Sequence, residues 1–355
     1  MKSGKLLLAA LLALALLLTA ACGQAASPPQ TEETPAPTPS PSPEPTPALP
    51  ALPEDMRLPS LSPEESQAMA SFLNANRALV WGDRLYCYDF GKDWAPVLAR
   101  YTWRDGELTD FTVLAEDCVP EYLCRETGWL YFIDRNSGSI LRVTEKGGTP
   151  QVLRKDPSDW LFFKDGRLYF CDSRGRFLSM EPGMGKETLL FDGPCSFAFP
   201  LGETVLYRDA GSGQLRLHRL ADGTDLPLSQ GPASPALIAE DRLWYHSGEK
   251  LCSLRLDGTD ERVYPIPAND GAVELLPEGE GLTLRGLRME DGPLQWYGGP
   301  EGPFRTAERG YRICDWMGEG VRIDTVYEPD GRIRGLVLTD EDGTEIPFLA
   351  GEQKS

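Results

Sequence analysis

A formal net charge of −19 over 355 residues, with 54 acidic against 35 basic side chains, sets the first limits on this chain. No basic stripe interrupts the acidic background, so we exclude binding to nucleic acid through neutralised phosphates. The same charge opposes electrostatic attraction to an anionic lipid surface. Any membrane association would therefore need a covalent anchor.

The N-terminus carries the pattern of an export signal. A short basic start precedes an apolar run over 6–18, which is too short and wrongly flanked for a lasting transmembrane helix. The run ends in TAACG, which resembles the bacterial lipoprotein signal, whose cysteine is lipidated and becomes the new N-terminus. Thr19 replaces the usual leucine, and ordinary cleavage at an Ala-x-Ala-like site is the alternative. We expect a signal peptide over 1–21 and a lipid on Cys22 that anchors the chain to the outer face of a bacterial membrane.

A proline-rich segment follows. Residues 27–53 contain eleven prolines, so this stretch lacks many backbone donors and buries little apolar surface. Such a sequence favours extended polyproline II at roughly 3.1 Å per residue, so a disordered tether over 22–57 would reach on the order of 100 Å. That length suits a domain that stands clear of a membrane or passes into a cell wall.

A short helix is predicted next, within a lead-in segment over 58–76. Ser62-Pro63-Glu64-Glu65 has a serine cap, a proline in the first turn and a glutamate placed to close a capping box. The predicted helix covers about 63–74, with Met69, Phe72 and Leu73 on one face. We expect this face to pack against the domain that follows.

From residue 77 the chain repeats a pair of residues, an apolar one followed in the clearest units by an aromatic one. The pairs are Leu85-Tyr86, Leu130-Tyr131, Leu168-Tyr169, Leu206-Tyr207, Leu243-Trp244, Leu282-Thr283 and Val321-Arg322. Their spacings are 45, 38, 38, 37, 39 and 39 residues, and a near-constant interval of this size indicates a repeat architecture. The repeated aromatic residues are interpreted as packing between repeats rather than as a ligand cage.

Each repeat contains four short strands separated by turn residues. In the second repeat we predict strands over 121–125, 129–134, 139–144 and 151–154. Four antiparallel strands per repeat predict an all-β fold, a β-propeller, with about seven blades over 77–350 and a tail over 351–355. Six or eight blades, or a pair of β-sandwiches, are the alternatives.

Two stretches resemble the YWTD repeat of low-density-lipoprotein-receptor propellers. The residues that carry the resemblance are LYFID over 130–134 and LDGT over 256–259. Bacterial surface lipoproteins with a similar propeller and no assigned function are the group this chain resembles. The resemblance implies a scaffold that binds a ligand or a protein, although the receptor propellers have six blades.

The cysteines and histidines give little sign of a metal or redox site. Eight cysteines are present, none in CxxC spacing, and there are only two histidines, His218 and His246. We therefore expect no metal and no cofactor. Most of the cysteines lie in apolar strand patterns, where a free thiol behaves as a small buried hydrophobe. Cys118 and Cys124 are the most plausible local disulfide.

No sequence motif for hydrolase, metalloprotease, phosphate-binding or dinucleotide-binding chemistry is found. Both histidines are interpreted as solvated strand residues. Trp94, in a lengthened loop of the first repeat, and the nearby Trp103 are the candidate ligand-binding residues, because a loop tryptophan can stack on a sugar or anchor a protein.

The expected function is that of a membrane-tethered, extracytoplasmic binding or scaffold protein, which presents its propeller to an unknown protein or glycan. Two alternatives are kept. One is an enzyme that acts on cell-envelope or dietary glycan through carboxylates in the central cleft, since 54 acidic residues make some carboxylate pair inevitable. The other is an accessory lipoprotein of envelope assembly.

Overall fold

The structure is a computed structural model, which describes residues 49–104, 107–183, 185–234, 236–248, 250–264, 273–278, 281–288, 292–299, 305–309, 312–318, 320–327, 333–340 and 342–348. The predicted signal peptide, Cys22 and most of the predicted tether lie outside these residues, as does the tail. In the described part of the chain, no helix is both long and apolar enough to cross a membrane.

The described strands pair into seven four-stranded antiparallel sheets, and each sheet uses four consecutive strands in sequence order. The first four sheets, blades 1 to 4, have the following strand bounds. Blade 1 comprises β1 (Ala78–Trp81), β2 (Arg84–Phe90), β3 (Pro96–Arg104) and β4 (Glu107–Glu116). Blade 2 comprises β5 (Pro120–Glu126), β6 (Trp129–Asp134), β7 (Ile140–Thr144) and β8 (Gln151–Arg154). Blade 3 comprises β9 (Ser158–Lys164), β10 (Arg167–Asp172), β11 (Phe177–Met180) and β12 (Glu187–Phe191). Blade 4 comprises β13 (Cys195–Leu201), β14 (Thr204–Asp209), β15 (Gln214–Arg219) and β16 (Asp225–Pro232).

The remaining three sheets, blades 5 to 7, follow the same order. Blade 5 comprises β17 (Ala236–Ala239), β18 (Arg242–Ser247), β19 (Lys250–Arg255) and β20 (Arg262–Tyr264). Blade 6 comprises β21 (Val273–Glu278), β22 (Gly281–Arg288), β23 (Gly292–Gly298) and β24 (Arg305–Arg309). Blade 7 comprises β25 (Arg312–Gly318), β26 (Val321–Tyr327), β27 (Ile333–Thr339) and β28 (Glu345–Phe348). Two 3-10 turns, Glu54–Met56 and Lys92–Trp94, and one helix, α1 (Pro63–Leu73), complete the described elements.

The sheets form a propeller ring whose axis is lined by the first strand of each blade. First strands of neighbouring blades contact each other from β1 to β5, β9 and β13, and again from β17 to β21. Contact between β25 and β1 closes the ring. This arrangement confirms the predicted propeller of four-stranded blades. Every repeated residue pair of the sequence falls on the second strand of its blade.

Apolar side chains between the blades form the core. Blades 7 and 1 are joined by a cluster that includes Val80, Leu85, Trp316 and Ile323. Of the five aromatic residues at the repeated position, four are at most 3% exposed, which confirms their packing role. They are Tyr86, Tyr131, Tyr207 and Trp244. Tyr169, the fifth, is partly buried and packs against the largest cluster.

Helix α1 begins as predicted. The Ser62 hydroxyl accepts from the backbone N–H of Glu65, whose carboxylate accepts from the Ser62 N–H, so the capping box is formed. The sequence did not predict where the helix lies. It is inside the ring, where it contacts the first strands of blades 5, 6 and 7. The Ser71 hydroxyl donates to the Met317 carbonyl and accepts from its N–H, which joins α1 to β25 near the end of that strand.

The predicted tether ends earlier than residue 57. The Leu52 and Leu58 N–H groups donate to the carbonyls of Asp257 and Leu256, in the turn between β19 and β20. Met56 is fully buried. Burial of the apolar residues Leu52, Met56 and Leu58, together with these hydrogen bonds, offsets the conformational entropy lost when the segment becomes ordered. Composition alone had assigned this segment to the disordered tether.

Removal of the Phe72 ring should strongly destabilise the protein. The Phe72→Ala variant deletes a buried ring that touches five other aromatic rings at the axis, so we expect a loss of about 3–5 kcal/mol in the free energy of unfolding. Urea unfolding followed by tryptophan fluorescence measures it. Leu189→Ala, at a side chain 48% exposed on β12, is the control and should cost less than about 0.5 kcal/mol. A loss below about 1 kcal/mol for Phe72→Ala would contradict an axial role for the helix.

Candidate functional site: the axial funnel

A pocket of about 170 Å³ opens on the propeller axis above the end of α1. We call the face where the first strands of the blades begin the upper face, and this pocket the axial funnel. Its walls come from α1 and from blades 2 to 5. The described lining residues are Phe72, Leu73, Tyr122, Trp160, Ser196, Phe197, Arg208, Leu215, Ser234 and Ala236. The volume is small, so the funnel fits one amino-acid side chain or one sugar unit rather than a drug-sized ligand.

Aromatic rings form the floor of the funnel. The Phe72 ring lies 5.4 Å from the Trp160 ring and 5.9 Å from the rings of Tyr122 and Phe197, measured between centroids. Each of these three partners is the third residue of the first strand of its blade, so the repeat itself places them at one height around the axis. These tilted and edge-on rings give an apolar surface on which a sugar or a side chain can pack.

Polar groups form the rim. Arg208 on β14 donates from Nε to the Ala233 carbonyl at 3.2 Å and from Nη1 to the Ser196 hydroxyl at 2.9 Å. The guanidinium is thereby held in a fixed orientation beside the pocket. Ser196 and Ser234 are exposed and add two hydroxyls. A positioned guanidinium with neighbouring hydroxyls is suited to binding a carboxylate through paired hydrogen bonds.

Trp94 and Trp103, the two candidate residues from the sequence, lie far apart. They lie at opposite ends of β3, whose rise of about 3.3 Å per residue separates them by about 25 Å. Trp103 is partly buried and packs against the cluster between blades 7 and 1. An extended strand carries its two ends to opposite faces of the ring, so the two tryptophans cannot contact one ligand group together.

Trp94 remains a candidate ligand-binding residue, because it lies on the surface. It is 65% exposed on the upper face, next to the Phe90 ring at 5.7 Å. Its φ of 59° lies in the left-handed region, which a bulky side chain rarely adopts. Such strained residues cluster at binding loops, although Trp94 belongs to blade 1 and lies outside the funnel.

The predicted disulfide between Cys118 and Cys124 is not formed. Both are free thiols, and they pack in different apolar clusters, Cys118 between blades 1 and 2 and Cys124 between blades 2 and 3. Six of the seven described cysteines are buried, which agrees with their interpretation as small hydrophobes. His218 also differs from the prediction, because it is buried against the Phe191 ring rather than solvated.

A second pocket of about 490 Å³ lies on the lower face of blade 5, beside the segment at Arg57 and Leu58. Arginine side chains at this pocket already form ion pairs with carboxylates. Asp260 lies 3.0 Å from Arg242 and 3.3 Å from Arg255. We therefore place the candidate site at the funnel rather than here. Among the described residues, no group of three or more potential metal ligands lies close enough together to hold an ion.

Blades 6 and 7 contain a buried charge cluster. The Arg285 guanidinium lies 2.9 Å from the Asp324 carboxylate and 3.7 Å from Glu274. Arg322 adds a second contact to Asp324 at 3.1 Å. Burial raises the pKa of Glu274 to about 8 and that of Asp315 to about 6. Because Asp324 holds the closer contacts to both guanidiniums, Glu274 is the carboxyl that retains its proton near neutral pH.

Sequence reasoning missed the funnel and the charge cluster. The shared height of Tyr122, Trp160 and Phe197 could have been read from their common place in each repeat. Arg208 and Glu274 carry no such signal, since many charged residues alternate along these strands. Only the fold shows which of them lies at the axis or between blades.

No protein-family model and no curated protein matches the sequence. Solved structures do match. A puromycin hydrolase aligns with a TM-score of 0.56 and 12% identity over 83% of this chain and 57% of its own. A puromycin-hydrolyzing peptidase of Mycobacterium tuberculosis gives 0.55 and 14%, over 84% and 56%. A prolyl endopeptidase gives 0.55 and 12%, over 82% and 52%. This chain spans little more than half the length of these proteins, and at such identities the likeness shows the propeller fold alone.

The raised pKa of Glu274 predicts a specific pH dependence of stability. Between its unfolded value, about 4.5, and its folded value, about 8, the folded state binds more protons than the unfolded state. The free energy of unfolding therefore falls as pH rises through this window, by at most about 1.4 kcal/mol per pH unit. Glu274→Gln keeps an acceptor for the Cys314 N–H and should flatten the decline.

Denaturant unfolding at pH 5, 6.5 and 8 measures this effect. Glu203→Gln, at an exposed turn between β13 and β14, is the matched control and should leave the pH profile unchanged. If wild type and Glu274→Gln show parallel profiles, Glu274 is ionised across the range and the assignment of the retained proton is wrong.

Proposed function

We propose that this protein is a lipid-anchored, extracytoplasmic binding protein whose propeller holds the anionic end group of a ligand in the axial funnel. The observation that carries the proposal is the placement of Arg208, with two hydroxyls, over a floor of aromatic rings on the axis. A rigid ring of blades keeps these groups in place before the ligand arrives, which lowers the entropy cost of binding.

The anchoring part of the proposal is supported by the sequence. A short apolar run ending in TAACG, followed by the proline-rich tether, suits a domain held at a distance from the membrane that bears its lipid. The segment from Leu52 onward packs on the lower face of blade 5. The funnel opens on the opposite, upper face of the ring.

The ligand chemistry follows from the funnel. A volume of about 170 Å³ admits one residue-sized group, and the guanidinium favours a carboxylate. The C-terminal residue of a peptide and an acidic sugar unit of a glycan both present a carboxylate beside an apolar face. The rings, hydroxyls and guanidinium bind and orient such a group, which is why we favour a binding role over the glycan-active enzyme.

Loss of the Cys22 thiol should release the protein from the membrane. We expect Cys22→Ser to move the chain from the membrane fraction to the soluble extracytoplasmic fraction, because lipidation needs the sulfur atom. Immunoblotting of fractionated cells measures the distribution. Ser27→Ala, which changes one hydroxyl in the same segment, is the control. Membrane retention of Cys22→Ser would mean that the anchor is not this lipid.

Arg208 should determine ligand affinity. We expect Arg208→Gln to weaken binding of a carboxylate-bearing ligand by about 10- to 100-fold, the cost of one or two charge-assisted hydrogen bonds. Calorimetric titration with short peptides, each as a free acid and as a C-terminal amide, tests one source of the carboxylate. Glucuronic acid against glucose tests the other. Thermal unfolding of the variant must first show that the fold is intact.

Arg174→Gln is the matched control for this experiment. Arg174 lies in the turn between β10 and β11 on the same upper face, and its exposed side chain lies outside the funnel. It should bind like wild type. Equal binding by all three proteins, or no preference for acids over their neutral partners, would contradict the proposed role of Arg208.

A further inference from the structure

Two buried cysteines meet between blades 3 and 4. Cys171 is the fifth residue of β10, and Cys195 is the first residue of β13. Their sulfur atoms are 2.6 Å apart, and the two residues are 0% and 2% exposed. Among the described residues, no other two cysteine sulfurs are in contact.

The backbone brings these two residues together. The Cys195 N–H donates to the Gly175 carbonyl at 2.9 Å, and the Cys195 thiol donates to the same oxygen. Gly175 lies in the turn after β10 with φ of 76°. A Cβ on it would lie 3.1 Å from the Cys195 nitrogen, so glycine allows this close approach. The sulfur contact is therefore imposed by the docking of one turn against the next blade.

We propose that Cys171 and Cys195 form a disulfide bond in the exported protein and join blade 3 to blade 4. The two thiols lose two protons and two electrons as the S–S bond forms. The electrons reduce the disulfide of an extracytoplasmic thiol oxidase to its dithiol. The inference rests on the proposed export, because reducing systems keep thiols free in the cytoplasm. It does not depend on what the funnel binds.

The bond would hold two walls of the funnel together. Cys195 stands two residues before Phe197, and the Trp160 ring packs on Phe177, six residues after Cys171. A cross-link across 24 residues also restricts the unfolded chain. Burial raises the pKa of the Cys171 thiol, so the reactive thiolate is scarce once the protein has folded.

Thiol mapping of the anchored protein tests the proposal. The full chain is extracted from membranes in detergent, denatured and alkylated with iodoacetamide, with or without prior reduction. Peptide mass mapping then locates each cysteine. We expect a Cys171–Cys195 linked peptide pair that disappears on reduction, while the other five described cysteines are alkylated without reduction. Alkylation of all seven without reduction, or a different pairing such as Cys118 with Cys124, would overturn the proposal.

A second sample distinguishes whether the two cysteines are able to pair from whether they are oxidised in the cell. The same extracted chain is reduced, unfolded and refolded in a buffer of oxidised and reduced glutathione. Formation of the pair in both samples supports the proposal. Formation only on refolding would show that the cysteines can pair but that the protein is not oxidised where it resides, which overturns the proposal and also counts against export. Absence of the Cys171–Cys195 pair from both samples would show that the fold does not allow the bond, and this result would also overturn the proposal.

Thermal unfolding provides the energetic readout. We expect reductant to lower the melting temperature of the wild type by several degrees, roughly 3–8 °C for a loop of this length. The double variant Cys171→Ser with Cys195→Ser should show no effect of reductant. The control, Cys252→Ser, removes a buried thiol of blade 5 and should retain the full effect of reductant. An equal response of the wild type and the double variant would contradict the cross-link.

Discussion

The packing of α1 into the centre of the ring is the interaction on which the remaining structure depends. Each described blade is built from four consecutive strands, so blades 7 and 1 share no strand and meet through side chains. A common partner at the axis links the blades of this ring. Phe72 supplies it by touching rings from blades 2, 3 and 4, while Ser71 binds the backbone of β25 in blade 7. The helix thus joins early and late blades that are far apart in sequence.

The same helix creates the candidate site. Because α1 ends inside the ring, the space above Phe72 becomes a closed-bottomed funnel instead of an open channel. Stability and the proposed binding therefore depend on overlapping residues, because the rings of the funnel floor also pack the helix into the ring. Arg208 is different, because it lies at the rim and is held by hydrogen bonds to Ala233 and Ser196 rather than by the packing of the floor. The charge cluster around Glu274 belongs to blades 6 and 7, away from the funnel lining, and acts on stability.

Local features were predictable and contacts between distant segments were not. The strands of blade 2 were predicted to within one residue at every end, because alternation and turn residues act over a few positions. The capping box of α1 was predicted for the same reason. Cys118 and Cys124 were paired by nearness in sequence, but they pack in different apolar clusters. Trp94 and Trp103 are also near in sequence, and strand β3 separates them. The cysteines that do meet, Cys171 and Cys195, belong to different blades.

The sequence by itself determined the strand content, the repeat interval and hence the propeller, because these depend on a side-chain alternation that each blade carries internally. It also specified the N-terminal cap of α1. Only the tertiary structure decided that α1 enters the ring, that Arg208 faces the axis and that two thiols meet between blades. Those outcomes depend on contacts across tens to more than two hundred residues, such as Ser71 with Met317. Residue type and local spacing contain no information about such distances, which become defined when the ring closes.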